Sequence, residues 1–233
     1  MKQQQEATAL LSFTQLIDSA LPIGGFSHSF GSETFVQRGK VCNLLDLECY
    51  IKGQLHSSLI PSDGTGIKLM FEALHNNQLA SLISLDAKLY AMRPARESRE
   101  GIHKMGRRLM KLAKQLYPEA NLDCLEVSIK QYNGYGTHPL IYTWLCYHLS
   151  ISLEHCVLGY LYTNIQTYIN CGLRLISMGQ TDGQILLRRM QQYAANAWVE
   201  HEQLGITEPY SFSLVQDILA MEHEQLYSRL FMS

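Results

Sequence analysis

The stretch Ile102-His103-Lys104-Met105-Gly106-Arg107-Arg108-Leu109-Met110-Lys111-Leu112-Ala113-Lys114-Gln115-Leu116 decides the fold class. Ile102, Met105, Leu109, Leu112 and Leu116 follow one another three or four positions apart. On a helix of about 3.6 residues per turn that spacing lays five apolar side chains along one stripe. Pro118 lies just beyond and cannot continue it. The same period recurs along most of the chain, whereas alternating runs longer than a few residues are hard to find. An all-α bundle of about nine or ten helices is therefore expected.

Outward from this stretch, Leu44, Leu47, Ile51, Leu55 and Leu59 share one face of a helix that Asn43 is placed to cap and Pro61 to stop. Asp63 is then read as opening another, with Ile67, Met70, Phe71 and Leu74 on its apolar side. Thr137 or His138 caps a helix with Pro139 in its first turn. Ile185, Leu186, Met190, Tyr193 and Ala197 mark a helix capped by Asp182, and Gly179 is expected to supply the left-handed turn that closes the one before. Leu214, Ile218 and Met221 belong to a final helix starting near Ser213. No Pro-, Gly- or Ser-rich linker divides the chain and no repeat at a solenoid period appears. One domain over 1–233 is expected, with a tail at about 221–233.

Of the 233 residues, 46% are hydrophobic and 17% charged, the balance of an ordinary globular protein. The net charge of −2 argues against a nucleic-acid binder. Cys42, Cys49, Cys124, Cys146, Cys156 and Cys171 include no CxxC pair and are read as buried, reduced thiols. Residues 1–6 are polar and lack an apolar signal core, so a cytoplasmic location is expected. The apolar stretch from Leu140 to Tyr162 is interrupted by His148, Glu154 and His155 and reads as buried helix rather than a membrane span.

Phosphate-loop, HExxH, GxSxG and GxGxxG motifs are all absent, and no catalytic, cofactor-binding or metal-ligating set is assigned. The segment Leu21-Pro22-Ile23-Gly24-Gly25-Phe26-Ser27-His28-Ser29 reads as a turn feeding a helix, with Ser29 and Glu33 in capping-box spacing. His148 and His155 lie about two turns apart if their helix is continuous, too far to share an ion. His201, between Glu200 and Glu202, and His223, between Glu222 and Glu224, are read as exposed clusters on helix surfaces. From Arg93 to Lys114 eight basic residues face two acidic ones, opposite the apolar stripe. That face is either a solvated surface or a docking site for an acidic partner. The last residues, Gln225 to Ser233, stay aromatic and aliphatic, so the tail must tuck into this chain's own core or into a partner's groove.

The chain resembles the UreF family of urease accessory proteins. The resemblance rests on LPIGGFSHSFGSE at 21–33, RPARESREGIHKMGRRLMKL at 93–112, LISMGQTDGQILL at 175–187 and MEHEQLYSRLFMS at 221–233. It implies an all-α homodimer that acts as a non-catalytic scaffold in nickel insertion into urease. The implied partners are UreD (also called UreH), the GTPase UreG and the urease apoprotein. Nickel and GTP then belong to the pathway and to UreG, and this chain holds no cofactor. On the same resemblance Phe26 and Arg229 shape the partner surface, and Tyr227, Leu230 and Phe231 form the apolar part of a tail inserted into UreD. His28 stands where many members carry an aromatic residue, which implies a weaker apolar contact there or an added hydrogen bond. Gly179 to Gly183 match the family's GQTDG turn, a helix connection. Tyr160, Tyr162 and Tyr168 are the residues expected at the dimer contact.

Overall fold

The structure, a computed structural model, describes residues 2–232 and the side chains of all of these but residues 2, 3 and 5; Met1 and Ser233, the outermost positions of the polar N-terminus and the apolar tail, lie outside the described residues. In chain order the helices are α1 (Lys2–Leu16), α2 (Ser32–Gln37), α3 (Leu44–Gln54), α4 (Thr65–His75), α5 (Leu79–Ala91), α6 (Arg96–Leu116), α7 (Leu122–Gln131), α8 (His138–His148), α9 (Leu153–Leu175), α10 (Gln180–Gln203) and α11 (Leu214–Glu222). Among the described residues there is no strand, and the fold is all-α as expected. Periodicity does not signal α1, whose Leu10 and Leu11 remain exposed.

Pro61 does not end a helix. Residues Leu55–Gly64 form a π-helical segment that joins α3 to α4 as one rod. In a π turn each N–H reaches one residue further back than in an α turn. Here the Thr65 N–H bonds to Ile60 O, spanning a proline that has no N–H to give. Asp63 consequently opens no new helix. It sits inside the wide turn, buried, and its carboxylate takes Arg93 Nη2 at 2.6 and 2.7 Å. Arg93 thus leaves the solvated face on which the charge pattern placed it.

The centre of the bundle is α8, where every residue from His138 to Cys146 is buried. A helix apolar all round needs neighbours on every side, and α4, α6 and α9 supply them. The α6 stripe packs here, and Gly106 allows the closest approach: a Cβ there would lie 2.2 Å from Gly136 O. The 140–162 stretch is two helices rather than one. The chain turns at Ser150, with φ of 60°, and Ser152 caps α9 by accepting the His155 N–H, so His148 and His155 lie on different helices. Gly179 has a φ of −79° rather than a left-handed one, and the Asp182 carboxylate accepts its N–H from within the first turn of α10. Only half the cysteines behave as expected: Cys146, Cys156 and Cys171 are buried, while Cys42, Cys49 and Cys124 are exposed.

His138 opens α8, its ring stacked on Tyr160 at 5.6 Å. Burial, reinforced by the Arg93 charge, lowers its pKa to about 4. The unfolded chain therefore takes up a proton that the folded chain refuses between about pH 6.5 and about pH 4. This residue's share of stability is present above that window and lost as the pH falls through it, roughly 3 kcal/mol in all. Urea unfolding across the window is expected to show the decline, and His138→Gln to remove that share of it; an identical pH slope in the variant contradicts the assignment.

Candidate partner-docking site

Three segments far apart in sequence meet on one side of the bundle. The first is the loop that enters α2. Gly31 has a φ of +91°, and a side chain there would press on Ala220 of α11 at 3.2 Å, so only glycine serves both needs. The turn swings Glu33 inward, where it is buried instead of closing a capping box; the Ser29 hydroxyl is buried as well. The second segment is the first turn of α6, which presents Glu97. The third is the C-terminus, where α11 passes through a short 3-10 turn, His223–Gln225, into the tail.

These segments converge on His223, which is 0% exposed. Its Nε2 lies 3.0 Å from Glu33 Oε2 and its Nδ1 2.7 Å from Glu97 Oε2. The Glu33 carboxylate also accepts the backbone N–H groups of Leu230 at 2.7 Å and Phe231 at 3.1 Å, while Arg229 Nη1 donates to Glu97 Oε1 at 2.8 Å. Gln37 donates to Ser228 O, and the Met232 N–H to Ser27 O. The tail is thereby fastened along residues 228–232. Periodicity read His223 as an exposed cluster member, which is incorrect: it lies in the turn after α11, facing inward, and its flanking glutamates point away to Arg38 and Arg96.

Phe231, expected to enter a partner, is 5% exposed and fills this chain's own wall beneath Arg174, whose guanidinium lies 4.6 Å from the ring centre. It borders a chamber of about 420 Å³ that the Asp63–Arg93 pair and His138 also line. His28 is likewise buried, stacked on Phe30 at 5.4 Å and against Gly101 of α6, so it serves as the aromatic residue it replaces. Burial and then the charges of Lys104 and Arg108 lower its pKa to about 4. Neither ring faces solvent. Phe26, by contrast, is 69% exposed, and Tyr227 and Leu230 also project outward.

Beside them lies the apolar stripe of α11. Leu214, Val215, Ile218 and Met221 form one face of α11, and all four are exposed, as is Phe212 at 85%. The polar face is the one turned inward, where Gln216 donates to Phe30 O and Asp217 accepts from Ser213. The N–H groups of Tyr210 and Phe212 anchor the approach to α11 on Pro61 O and Ser57 O of the π segment. An apolar helix face left in water marks an interaction site.

The other expected site residues are dispersed. Tyr160 and Tyr168 are buried within the chain, which corrects their placement at a dimer contact. Tyr162 is half-buried and lines a shallow groove with Phe13, Leu158 and Ala194. His201 bonds to the Thr65 hydroxyl at 2.8 Å and Glu202 pairs with Lys68. Among the described residues no three His, Cys, Asp or Glu side chains are grouped so as to hold a metal ion, and no helix is long and apolar enough to cross a membrane. Residues 180–183 of the GQTDG stretch form the first turn of α10, with Gly183 against Ile169 and Leu173 of α9. Sequence reasoning missed Glu33, Glu97 and His223 as a unit. The one available signal was that each falls within a family motif.

Comparison with known proteins gives the same grouping. The UreF family model matches residues 41–191, more than half of the chain. The urease accessory protein UreF of Lachnoclostridium phytofermentans is 36% identical over 229 residues, covering 96% of this chain and 98% of its own. The proteins of the same name from Bacillus sp. strain TB-90 and Actinobacillus pleuropneumoniae serotype 3 are 35% and 34% identical, covering 96% and 94% of this chain and 99% and 96% of theirs. With a family model over more than half of the chain and relatives matched over nearly its whole length, the chain belongs to the UreF family of urease accessory proteins.

Proposed function

We propose that this protein is a non-catalytic scaffold that joins UreD (UreH) and recruits the GTPase UreG for nickel insertion into the urease apoprotein. The observation that carries this reading is the outward apolar face of α11, continued by Tyr227, Leu230 and Met232 of the tail. These side chains would be desolvated together by a partner, as the centre of a stable interface requires. Phe26 adds an aromatic anchor from the first motif. The chain works in the cytoplasm as a homodimer and holds no cofactor of its own, with GTP bound by UreG. The groove beside Tyr162 is the dimer contact that remains after Tyr160 and Tyr168 are assigned to the core. A scaffold of this kind must favour one state of the GTPase over another, since equal affinity for both shifts nothing.

Co-purification with UreD tests the reading. Leu214→Glu with Ile218→Glu alters only exposed positions, so the fold is expected to persist. Affinity for UreD is expected to fall about 100-fold, because each charge placed in a desolvated centre costs about 1–3 kcal/mol. Loss of residues 225–233 is expected to weaken the complex and, through it, UreG recruitment. Undiminished binding by both variants would sink the docking assignment.

A further inference from the structure

We propose that Glu33, His223 and Glu97 form a proton-held latch that fixes the C-terminal tail against the loop at 21–33. The inference concerns the chain by itself and does not depend on which partner binds it.

Both ring nitrogens of His223 face carboxylate oxygens, at 3.0 Å and 2.7 Å. A carboxylate oxygen only accepts, so each contact is favourable only if that nitrogen carries a hydrogen. Neutral imidazole has one N–H and would direct a lone pair at the other carboxylate within a site closed to water. The geometry therefore assigns the cationic ring, protonated at both nitrogens. Charge supports this assignment. Glu33 and Glu97 bring two negative charges, and His223⁺ with Arg229 of the tail balances them. Neighbouring charged side chains have other partners. From α6, Arg96 is drawn off by Glu224 of the 3-10 turn, and from α2, Arg38 pairs with Glu222. From α9, the Cys171 thiol near Glu33 is pushed up to about 12 by burial and is neutral.

Removal of the ring proton leaves the buried Glu33 carboxylate and the half-buried Glu97 carboxylate facing a single guanidinium. Glu33 is the group that accepts the tail's Leu230 and Phe231 N–H groups. Repulsion between Glu33 and a bare ring nitrogen therefore acts directly on the tail's anchor. The same proton ties α2, α6 and the turn after α11 to one another, so the latch governs whether Phe26 and the tail form one continuous surface.

Hydrogen exchange of residues 226–232 in the full-length chain, corrected for the intrinsic pH dependence of exchange, tests this at about pH 6 and about pH 9. Tail protection is expected to fall about tenfold or more at the higher pH, while α8 stays protected. His223→Gln, which donates to only one carboxylate, is expected to give weak protection that is the same at both pH values. Equal protection of the wild-type tail at both pH values, or a surviving pH effect in H223Q, overturns the proposal. A variant that fails to fold does not end the test: ¹⁵N imidazole shifts of the wild-type chain near neutral pH are expected to report two protonated nitrogens, and a single N–H on His223 overturns it equally.

Discussion

Arg93→Ala lowers the stability of the fold by about 3–5 kcal/mol, because it leaves the Asp63 carboxylate buried inside the π segment without its counter-charge. The pair is bidentate, with both carboxylate oxygens on Arg93 Nη2, and a second guanidinium nitrogen donates to Leu89 O. Removing the arginine loses these bonds, and the wide turn has no other cation within ion-pair distance of Asp63 among the described residues. At about 2–4 °C per kcal/mol for a domain of this size, the melting temperature falls by roughly 6–20 °C. The loss belongs to the stranded charge and not to the pair as such, since well-packed apolar pairs replace buried ion pairs at little cost. Asp63→Leu combined with Arg93→Met is therefore expected to recover most of the stability of the single variant. Thermal unfolding of the three proteins decides it, and a double variant as unstable as Arg93→Ala refutes the account.

Asp86→Ala is expected to cost a similar amount, about 3–5 kcal/mol, for a different reason. Asp86 lies on α5, fully buried, and its carboxylate accepts the N–H groups of Tyr135, Gly136 and Thr137 and the Thr137 hydroxyl at 2.6–3.0 Å. Thr137 is the N-cap of α8 but makes no side-chain cap of its own. The start of the central helix is thus satisfied by a carboxylate some 51 residues earlier in the chain, whose negative charge also suits a helix N-terminus. Alanine leaves the Gly136 and Thr137 N–H groups buried and unpaired, at about 1–3 kcal/mol each. Urea denaturation measures the loss, and hydrogen exchange should place it at residues 134–146. For contrast, removing the exposed Glu100–Lys104 pair should change stability by less than about 1 kcal/mol, as surface pairs are screened by water.

Position along a helix was largely legible. Asn43 caps α3 by accepting the Asp46 N–H at 3.0 Å, Ser213 stands at the N-cap of α11, and α6 ends at Leu116, just before Pro118. The direction in which a side chain faces was legible only where its helix packs by its apolar stripe. On α6 it does, and Ile102, Met105 and Leu109 are buried. On α11 the stripe is just as regular, yet it faces water, because Gln216, Asp217 and Ala220 make the inward contacts. No local pattern distinguishes an apolar face that packs into the core from one left exposed, as both are stripes of the same period.

Composition, helical period and four short motifs determined by themselves that this protein is an all-α member of the UreF family. Tertiary structure alone decided which charged residues are interior. Asp63, Asp86, Glu33 and His223 look like surface residues when read locally, because burying any one of them by itself is prohibitive. Each is buried only because a complementary group arrives from elsewhere in the chain, 30 residues away for Asp63 and Arg93 and 190 for Glu33 and His223. Burial of charge is a property of pairs, and the pairs come into being only when the helices pack.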